Sequence, residues 1–302
     1  MKPIAVVGSY LTGLTMRVGR LPGPGETVTG SGYAVVPGGK GSNQAIAARR
    51  LGARVSFVGC VGGDERGDAA VELWRTEGVD ASLVRRVPSP TGLGFVMVDG
   101  AGANAIAIDP GANMDLGEPD VERAGAVLSA SGVLLLQLEV SHRTTEAAAK
   151  KAKEHGATVI LNPAPAMEAG ALVLKDVDVV TPNEEEFALL AGTTDIEAGA
   201  EKVLSMGPKA VVVTLGHRGA RVVTADDSYA VPAPSVKAVD TTGAGDAFNG
   251  ALAVALSEGE PLRQAVRFAN YAGALCVTKR EVVASLPLRA EVDEFIRDDV
   301  LE

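Results

Sequence analysis

The sequence predicts an α/β fold: a doubly wound, mostly parallel central sheet with helices on both faces, and a small β-sheet lid. Three observations lead there. Short runs of β-branched and aliphatic residues recur along the chain, separated by amphipathic stretches of helical length. The runs are apolar throughout instead of alternating, as expected of parallel strands covered on both faces. Two extended, turn-rich stretches interrupt this rhythm and so belong to a sheet of their own. At 302 residues the chain is long enough for one large domain, and no repeat or low-complexity linker divides it.

Taken in order, the strands are expected at residues 4–7, 55–58, 133–137, 158–161, 177–180 and 210–215. Helices are expected between them, at 43–51, 68–77, 118–129, 144–155, 184–190 and 198–206. Two alanine-rich helices, 244–258 and 262–278, follow and should pack closely on each other and on the sheet. The lid is expected from about residues 11–37 and 92–110. From Leu21 the chain is rich in Pro and Gly and then extended, and segments 95–98 and 104–108 flank Asp99-Gly100-Ala101-Gly102, a hairpin signal. Such a flap can cover a substrate and exclude water. In sheets of this class ligands collect at the carboxyl ends of the strands.

Composition narrows the function. The net charge is −10, which speaks against nucleic acid or an anionic membrane surface as partner. Two distant cysteines, Cys60 and Cys276, form no Cys-x-x-Cys unit, so reduced buried thiols are expected. His142, His155 and His217 show no ligand spacing, and His155 before Gly156 reads as a helix end. No apolar run reaches the roughly 20 residues of a membrane span, and no secretory signal is evident, so a cytoplasmic location is expected.

The most informative stretch is Asp240-Thr241-Thr242-Gly243-Ala244-Gly245-Asp246, where small residues let the backbone turn tightly into a helix that carries an acid in its first turn. Unpaired amides at such a start attract an anion. A second loop, Gly38-Gly39-Lys40-Gly41-Ser42-Asn43-Gln44, supplies a cation and amides. An acid, an anion hole and a separate polar loop point to phosphoryl transfer onto a hydroxyl group. Neither a P-loop nor a Rossmann fingerprint is present, because Lys40 is followed by Gly41 and Gly245 by Asp246. A nucleotide must therefore be held another way.

These two loops resemble the signatures of the ribokinase (PfkB-type) carbohydrate kinases. Between them stand Gln137-Leu138-Glu139, Asn162-Pro163-Ala164-Pro165-Ala166, Thr181-Pro182-Asn183-Glu184-Glu185-Glu186 and Thr214-Leu215-Gly216-His217-Arg218-Gly219, in the family's order. The resemblance implies a ribokinase-like fold and transfer of a phosphoryl group from ATP to a primary hydroxyl of a small sugar, ribose foremost. It makes Asp246 the base, and Gly243, Ala244 and Gly245 the amides facing the transferred group. It assigns Gly39, Lys40, Gly41, Asn43 and Glu139 to the sugar. Asn183, Glu186, Thr214, Gly216, Gly219, Gly245 and Asn270 go to the nucleotide, with Mg2+ arriving on ATP. Asp240, Thr242, Cys276, Lys279 and Ser285 match a monovalent-cation (K+) site. Family members often pair through the lid, so a homodimer is expected, with an apolar lid face containing Val35, Val36, Phe95 or Val96.

The chain departs from the family twice. In the family's Gly-Ser-x-Asn-x-Asp stretch, the sugar-gripping Asn is Leu11 and the Asp is Gly13. That leaves a nucleoside, or another sugar or polyol, as the alternative acceptor, with Thr12 as a neutral substitute hydroxyl or Tyr10 and Leu11 as an apolar contact. The glycine usual in the C-terminal loop is Glu281, which bears on the K+ site.

Overall fold

The computed structural model describes residues 1–101, 103–167 and 173–301. Eight strands form the central sheet. From one edge they run Val55–Val58, Ile4–Val7, Val133–Leu136, Thr158–Leu161, Val179–Val180 and Ala210–Thr214, all parallel. Two antiparallel strands, Ala220–Thr224 and Ser228–Val231, complete the other edge. Alternate side chains leave each strand on opposite faces. Ile4, Val6, Leu135, Ile160 and Val212 pack into one core, while Ala5, Val7, Leu134, Leu161 and Val213 pack into another. Helices Lys40–Arg50, Ala244–Glu258 and Leu262–Cys276 cover the first face. Helices His142–Glu154, Glu184–Ala191 and Ile196–Leu204 cover the second. The expected doubly wound architecture is what the chain adopts.

The lid is a separate four-stranded sheet ordered Gly30–Gly38, Leu11–Val18, Leu93–Val98, Asn104–Asp109. It joins the body at Gly39, whose φ of 89° lies in the left-handed region. A Cβ there would come within 2.6 Å of the Tyr10 Cα and 2.7 Å of the Leu11 amide nitrogen, so only glycine fits. Helix Lys40–Arg50 starts at the very next residue. Among the described residues no helix is long and apolar enough to cross a membrane.

Several boundaries differ from expectation. The strands expected at 133–137, 177–180 and 210–215 end at Leu136, begin at Val179 and end at Thr214 respectively. The helix expected at 118–129 is two, Glu118–Arg123 and Gly125–Ala130, broken at Ala124 (ψ 0°) beside a helix-weakening glycine. Helices expected from 43 and 68 begin earlier, at Lys40 and Glu65, the latter capped by the Asp64 carboxylate on the Gly67 amide. The expected turn at 99–102 includes Gly102, which lies outside the described residues. The antiparallel edge and a two-stranded pair, Cys60–Gly62 with Arg85–Val87, had no counterpart in the expectation.

Candidate active site

Strand Ile4–Val7 lies between Val55–Val58 and Val133–Leu136, so the connections from its two neighbours leave in opposite directions. A crevice opens at the carboxyl end of the sheet at such a point. Chain segments leaving Ile4–Val7 (Gly8 and Ser9), Val133–Leu136 (Gln137 to Glu139) and the next strand, Thr158–Leu161 (Asn162), meet there with the starts of helices Lys40–Arg50 and Ala244–Glu258.

The two helices are brought into register by a close contact. A Cβ on Gly250 would come within 2.6 Å of the Ala47 Cβ, so a side chain there would force the helices apart. One turn earlier on each helix stand Asp246 and Asn43, whose Nδ2 donates to Asp246 Oδ2 at 2.9 Å. Gln44 Nε2 donates to Asp246 Oδ1 at 3.1 Å. Gln44 is itself held, since Gln137 Nε2 donates to its Oε1 at 2.6 Å and its own Nε2 is 3.2 Å from Asn162 Oδ1. Gly243, at φ 84°, caps the helix from the left-handed region. Asn249 Nδ2 donates back to the Gly245 carbonyl at 2.8 Å, while Thr181 Oγ1 donates to Asn249 Oδ1 at 2.6 Å. The acid and the turn before it are thus fixed from several strands. Asp246 is only 7% exposed.

Burial raises the pKa of Asp246, while Lys40 and the amides of Asn43 and Gln44 pull it back and Glu139 pushes it up. Lys40 sees the reverse. Burial works against its charge, but the fields of Asp246, Glu139 and Glu186 outweigh this, and its pKa is raised. Glu186 is half-buried and its pKa is raised, by burial first, against the Asn183 amide and Lys40, with Asp246 and Glu185 adding to the rise. One ammonium therefore sits in the field of three carboxylates. Glu139 is fixed by two donors to the same Oε2, the Lys40 amide at 2.8 Å and the Ser9 hydroxyl. Asn43 Oδ1 is buried with no partner among the described residues.

A cavity between body and lid is lined by Gly39, Lys40, Asn43, Glu139, Gly243 and Asp246, and also by Asp240 and Thr242. The expected sugar, base and anion-hole positions thus converge, except that Gly41 is packed against Ser9, where a Cβ would lie 2.5 Å from the backbone nitrogen. Ala244 is half-buried and Gly245 exposed at the helix start. The expected nucleotide residues form a neighbouring group. Asn183 and Glu186 close a reciprocal capping box at 2.8 and 2.9 Å. Thr214 bonds through its amide to the Pro182 carbonyl at 2.9 Å, and a short 3-10 turn, Gly216–Arg218, precedes Gly219. Asn270 uses its Nδ2 on the Val231 carbonyl at 2.9 Å, which ties it to the edge strand.

The segments expected at a cation site also meet. Val239 and Asp240 amides donate to the Val277 carbonyl at 2.7 and 3.1 Å, and Cys276 Sγ is 3.0 Å from Ser285 Oγ. Burial pushes the Cys276 thiol up to about 11. The Lys279 ammonium is engaged by Glu291 at 2.6 Å. Asp240 Oδ1 accepts from the Thr242 amide and hydroxyl at 3.0 and 2.7 Å.

Two expectations are corrected. Thr12 does not face the site; its side chain lines a different cavity on the outer side of the lid, against helix Glu65–Glu77. Tyr10 lines that same outer cavity and packs edge-on against Trp74, with ring centroids 5.5 Å apart. Leu11 alone of the pair lines the site. Gln44, Ser9 and Asn162 are functional neighbours that received no role from the sequence, although each stands inside a quoted motif and its polarity next to glycine or an apolar strand end was the available signal.

Comparison with known proteins agrees in family and fold. The pfkB family carbohydrate kinase model matches residues 1–289. The chain is 38% identical over 301 residues to a ribokinase of Haemophilus influenzae, covering 98% of each. It is similar to the ribokinase structure from Thermotoga maritima (TM-score 0.91, 39% identity, 98% of this chain and 100% of that one). It is also similar to Arabidopsis thaliana ribokinase complexed with ribose and ATP (TM-score 0.89, 34% identity, 97% and 98% covered).

Proposed function

The chain belongs to the pfkB family of carbohydrate kinases and is an ATP-dependent sugar kinase, and on that premise we propose that it converts ribose to ribose 5-phosphate. The observation that carries this is the buried Asp246 carboxylate, gripped by Asn43 and Gln44 on the wall of the cavity beneath the lid. Asp246 accepts the proton of the attacking primary hydroxyl. The amides of Gly243, Ala244, Gly245 and Asp246 stabilise charge on the phosphoryl group in transfer, where positioning and electrostatics dominate. Lys40, Asn43 and Glu139 hold sugar hydroxyls, and the free Asn43 Oδ1 is an acceptor suited to one of them.

Asn183, Glu186, Thr214, Gly216, Gly219 and Asn270 border the nucleotide. The residues suit Mg2+ arriving on ATP: Glu186 spends one oxygen on the Asn183 amide and keeps the other. Magnesium bound there supplies positive charge across the phosphates. For K+, the loop at Glu281 has a φ of 66°, in the region glycine favours, which supports a backbone path there like that of the family's glycine. Asp240 and Thr242 with the carbonyls of the loop that carries Cys276, Lys279 and Ser285 would hold it; the Lys279 side chain is committed elsewhere. We place the protein in the cytoplasm as a homodimer joined through the outer lid face, where Tyr33, Val35 and Phe95 are exposed.

The test is an ADP-release assay with ATP, Mg2+ and ribose, with the product analysed by phosphorus NMR. Ribose-dependent ADP release with phosphate on the primary carbon is expected. No sugar-dependent release with any pentose or hexose overturns the reading.

A further inference from the structure

One buried residue behind the cavity reaches both ends of Asp246. Thr181 follows the short strand Val179–Val180 and is 1% exposed. Its amide donates to the Leu161 carbonyl at 2.9 Å, so the sheet ladder fixes its backbone. Two arms leave it, one from the carbonyl and one from the hydroxyl.

The first arm ends on the carboxylate. Asn162 Nδ2 donates to the Thr181 carbonyl at 3.2 Å. A backbone carbonyl only accepts, so Asn162 turns its Oδ1 the other way, toward Gln44. Gln44 then presents its Nε2, which has two protons to give: one goes to Asn162 Oδ1 at 3.2 Å, the other to Asp246 Oδ1 at 3.1 Å. Gln137 Nε2, donating to Gln44 Oε1 at 2.6 Å, sets the same orientation from the opposite side. With its amide reversed, Gln44 would aim an oxygen at a carboxylate. The direction of the whole chain of amides therefore follows from the Thr181 carbonyl at its root.

The second arm ends on the amide of the same residue. Thr181 Oγ1 donates to Asn249 Oδ1 at 2.6 Å, and Asn249 Nδ2 donates to the Gly245 carbonyl at 2.8 Å. That carbonyl and the Asp246 N–H belong to one planar peptide unit and point in opposite directions. Holding the first aims the second, a first-turn amide with no partner inside its helix.

We propose that Thr181 is a positioning residue for phosphoryl transfer, holding the carboxylate of Asp246 through Asn162 and Gln44 and its amide through Asn249. Proton acceptor and anion hole then share one anchor and keep their spacing. The same segment continues into the Asn183–Glu186 capping box. The inference rests on the reading of Asp246 as the base.

The experiment compares T181V, T181S and N162L with the wild type in ribose kinetics and thermal melting. T181V keeps the backbone carbonyl and the shape but loses the hydroxyl. Its kcat should fall about tenfold to a hundredfold with the sugar KM nearly unchanged, since a misplacement of about 1 Å costs on the order of 10² in rate. T181S should restore the rate to within a few-fold. N162L leaves Gln44 free to turn. Burial raises the Asp246 pKa and Gln44 is one of the donors pulling it back, so the acid limb of kcat/KM should move to higher pH in N162L. Lys40, Glu139, Glu186 and Cys276 face Asp246 in every variant and do not account for a difference between them. Asn249→Leu and Gln44→Met carry the two halves if melting shows T181V or N162L to be unfolded. An unchanged kcat in T181V, or a T181S as slow as T181V, overturns the amide arm. A limb that stays still in N162L overturns the carboxylate arm. Lower melting temperatures with neither kinetic change mean packing alone and overturn the inference, while a slow D246N beside them leaves the base reading standing. A wild type inert toward ribose, or a D246N as active as the wild type, overturns the base reading and the inference with it.

Discussion

Asn43 and Asp246 are separated by 203 positions in the chain, yet the amide of one donates to the carboxylate of the other at 2.9 Å. The contact exists because Gly250 lets its helix approach Ala47 one turn below. Asp246→Asn keeps the shape of the side chain and removes the base. Turnover should fall by about 10² to 10⁴, the span that a positioned general base supplies. Steady-state kinetics checks this, with circular dichroism to show an unchanged fold; turnover within a few-fold of wild type would rule out the assigned role.

Asp246 has a raised pKa, with burial as the main cause. The base works ionised, so kcat/KM should decline tenfold per pH unit below that raised value, giving an acid limb at higher pH than a solvated aspartate would. Lys40 is the largest influence holding the value down. Lys40→Gln should therefore move the acid limb to higher pH as well as slow the reaction. A pH–rate profile in which the limb stays still or moves to lower pH contradicts the coupling. The same shift affects stability. The folded state keeps a proton that the unfolded chain has released, so this stabilisation is complete below the ordinary aspartate pKa and fades as pH rises through the folded value.

Among the described residues Glu281 is the non-glycine with positive φ (66°, ψ 147°), a region that side chains avoid. Such a conformation costs about 1–3 kcal/mol. Glu281→Gly releases it while adding freedom to the unfolded chain worth about 0.4–1 kcal/mol. The net expectation is a gain near 1 kcal/mol, read as a higher urea midpoint at unchanged m. A lower midpoint would mean that the strain is relieved by contacts of the Glu281 side chain.

Gly39→Ala should do the opposite. Its Cβ would strike the Tyr10 Cα at 2.6 Å and the Ser9 carbonyl at 2.9 Å, both backbone. A loss of about 2 kcal/mol or more is expected, with a raised KM because the lid and Lys40 share that hinge. Urea denaturation alongside sugar kinetics checks both halves.

On the outer lid face, Val35→Asp places a charge among Tyr33, Val35 and Phe95, which are 63%, 57% and 48% exposed. Light scattering should show a dimer for the wild type and a monomer for the variant. A monomeric wild type at micromolar concentration sinks the lid-mediated pairing.

The parallel sheet was legible because strands buried on both sides are written as unbroken apolar runs, such as Val-Leu-Leu-Leu at 133–136. The edge strands Ala220–Thr224 and Ser228–Val231 were not, since their side chains include Arg221, Thr224 and Ser228 and their pairing is local. Asp246, Lys40 and Glu139 could be picked out because glycines or a strand end flank them, and Asn43 through the family resemblance. The grip of Gln44 on Asp246, and of Ser9 on Glu139, depends on distances across the fold that no local pattern encodes. Thr12 and Tyr10 were misjudged for a related reason: period-two alternation sends them to the outer side once Leu11 faces inward.

The reacting groups ride on the body, whereas the row from Leu11 to Gly13 belongs to a strand of the smaller sheet, which leaves the body after Ser9 and Tyr10 and returns to it through Gly39. Diversification can thus rewrite acceptor preference in the smaller sheet without disturbing the glutamine-braced acid. For the enzyme engineer, libraries confined to that strand and its neighbours should change diet before they change chemistry.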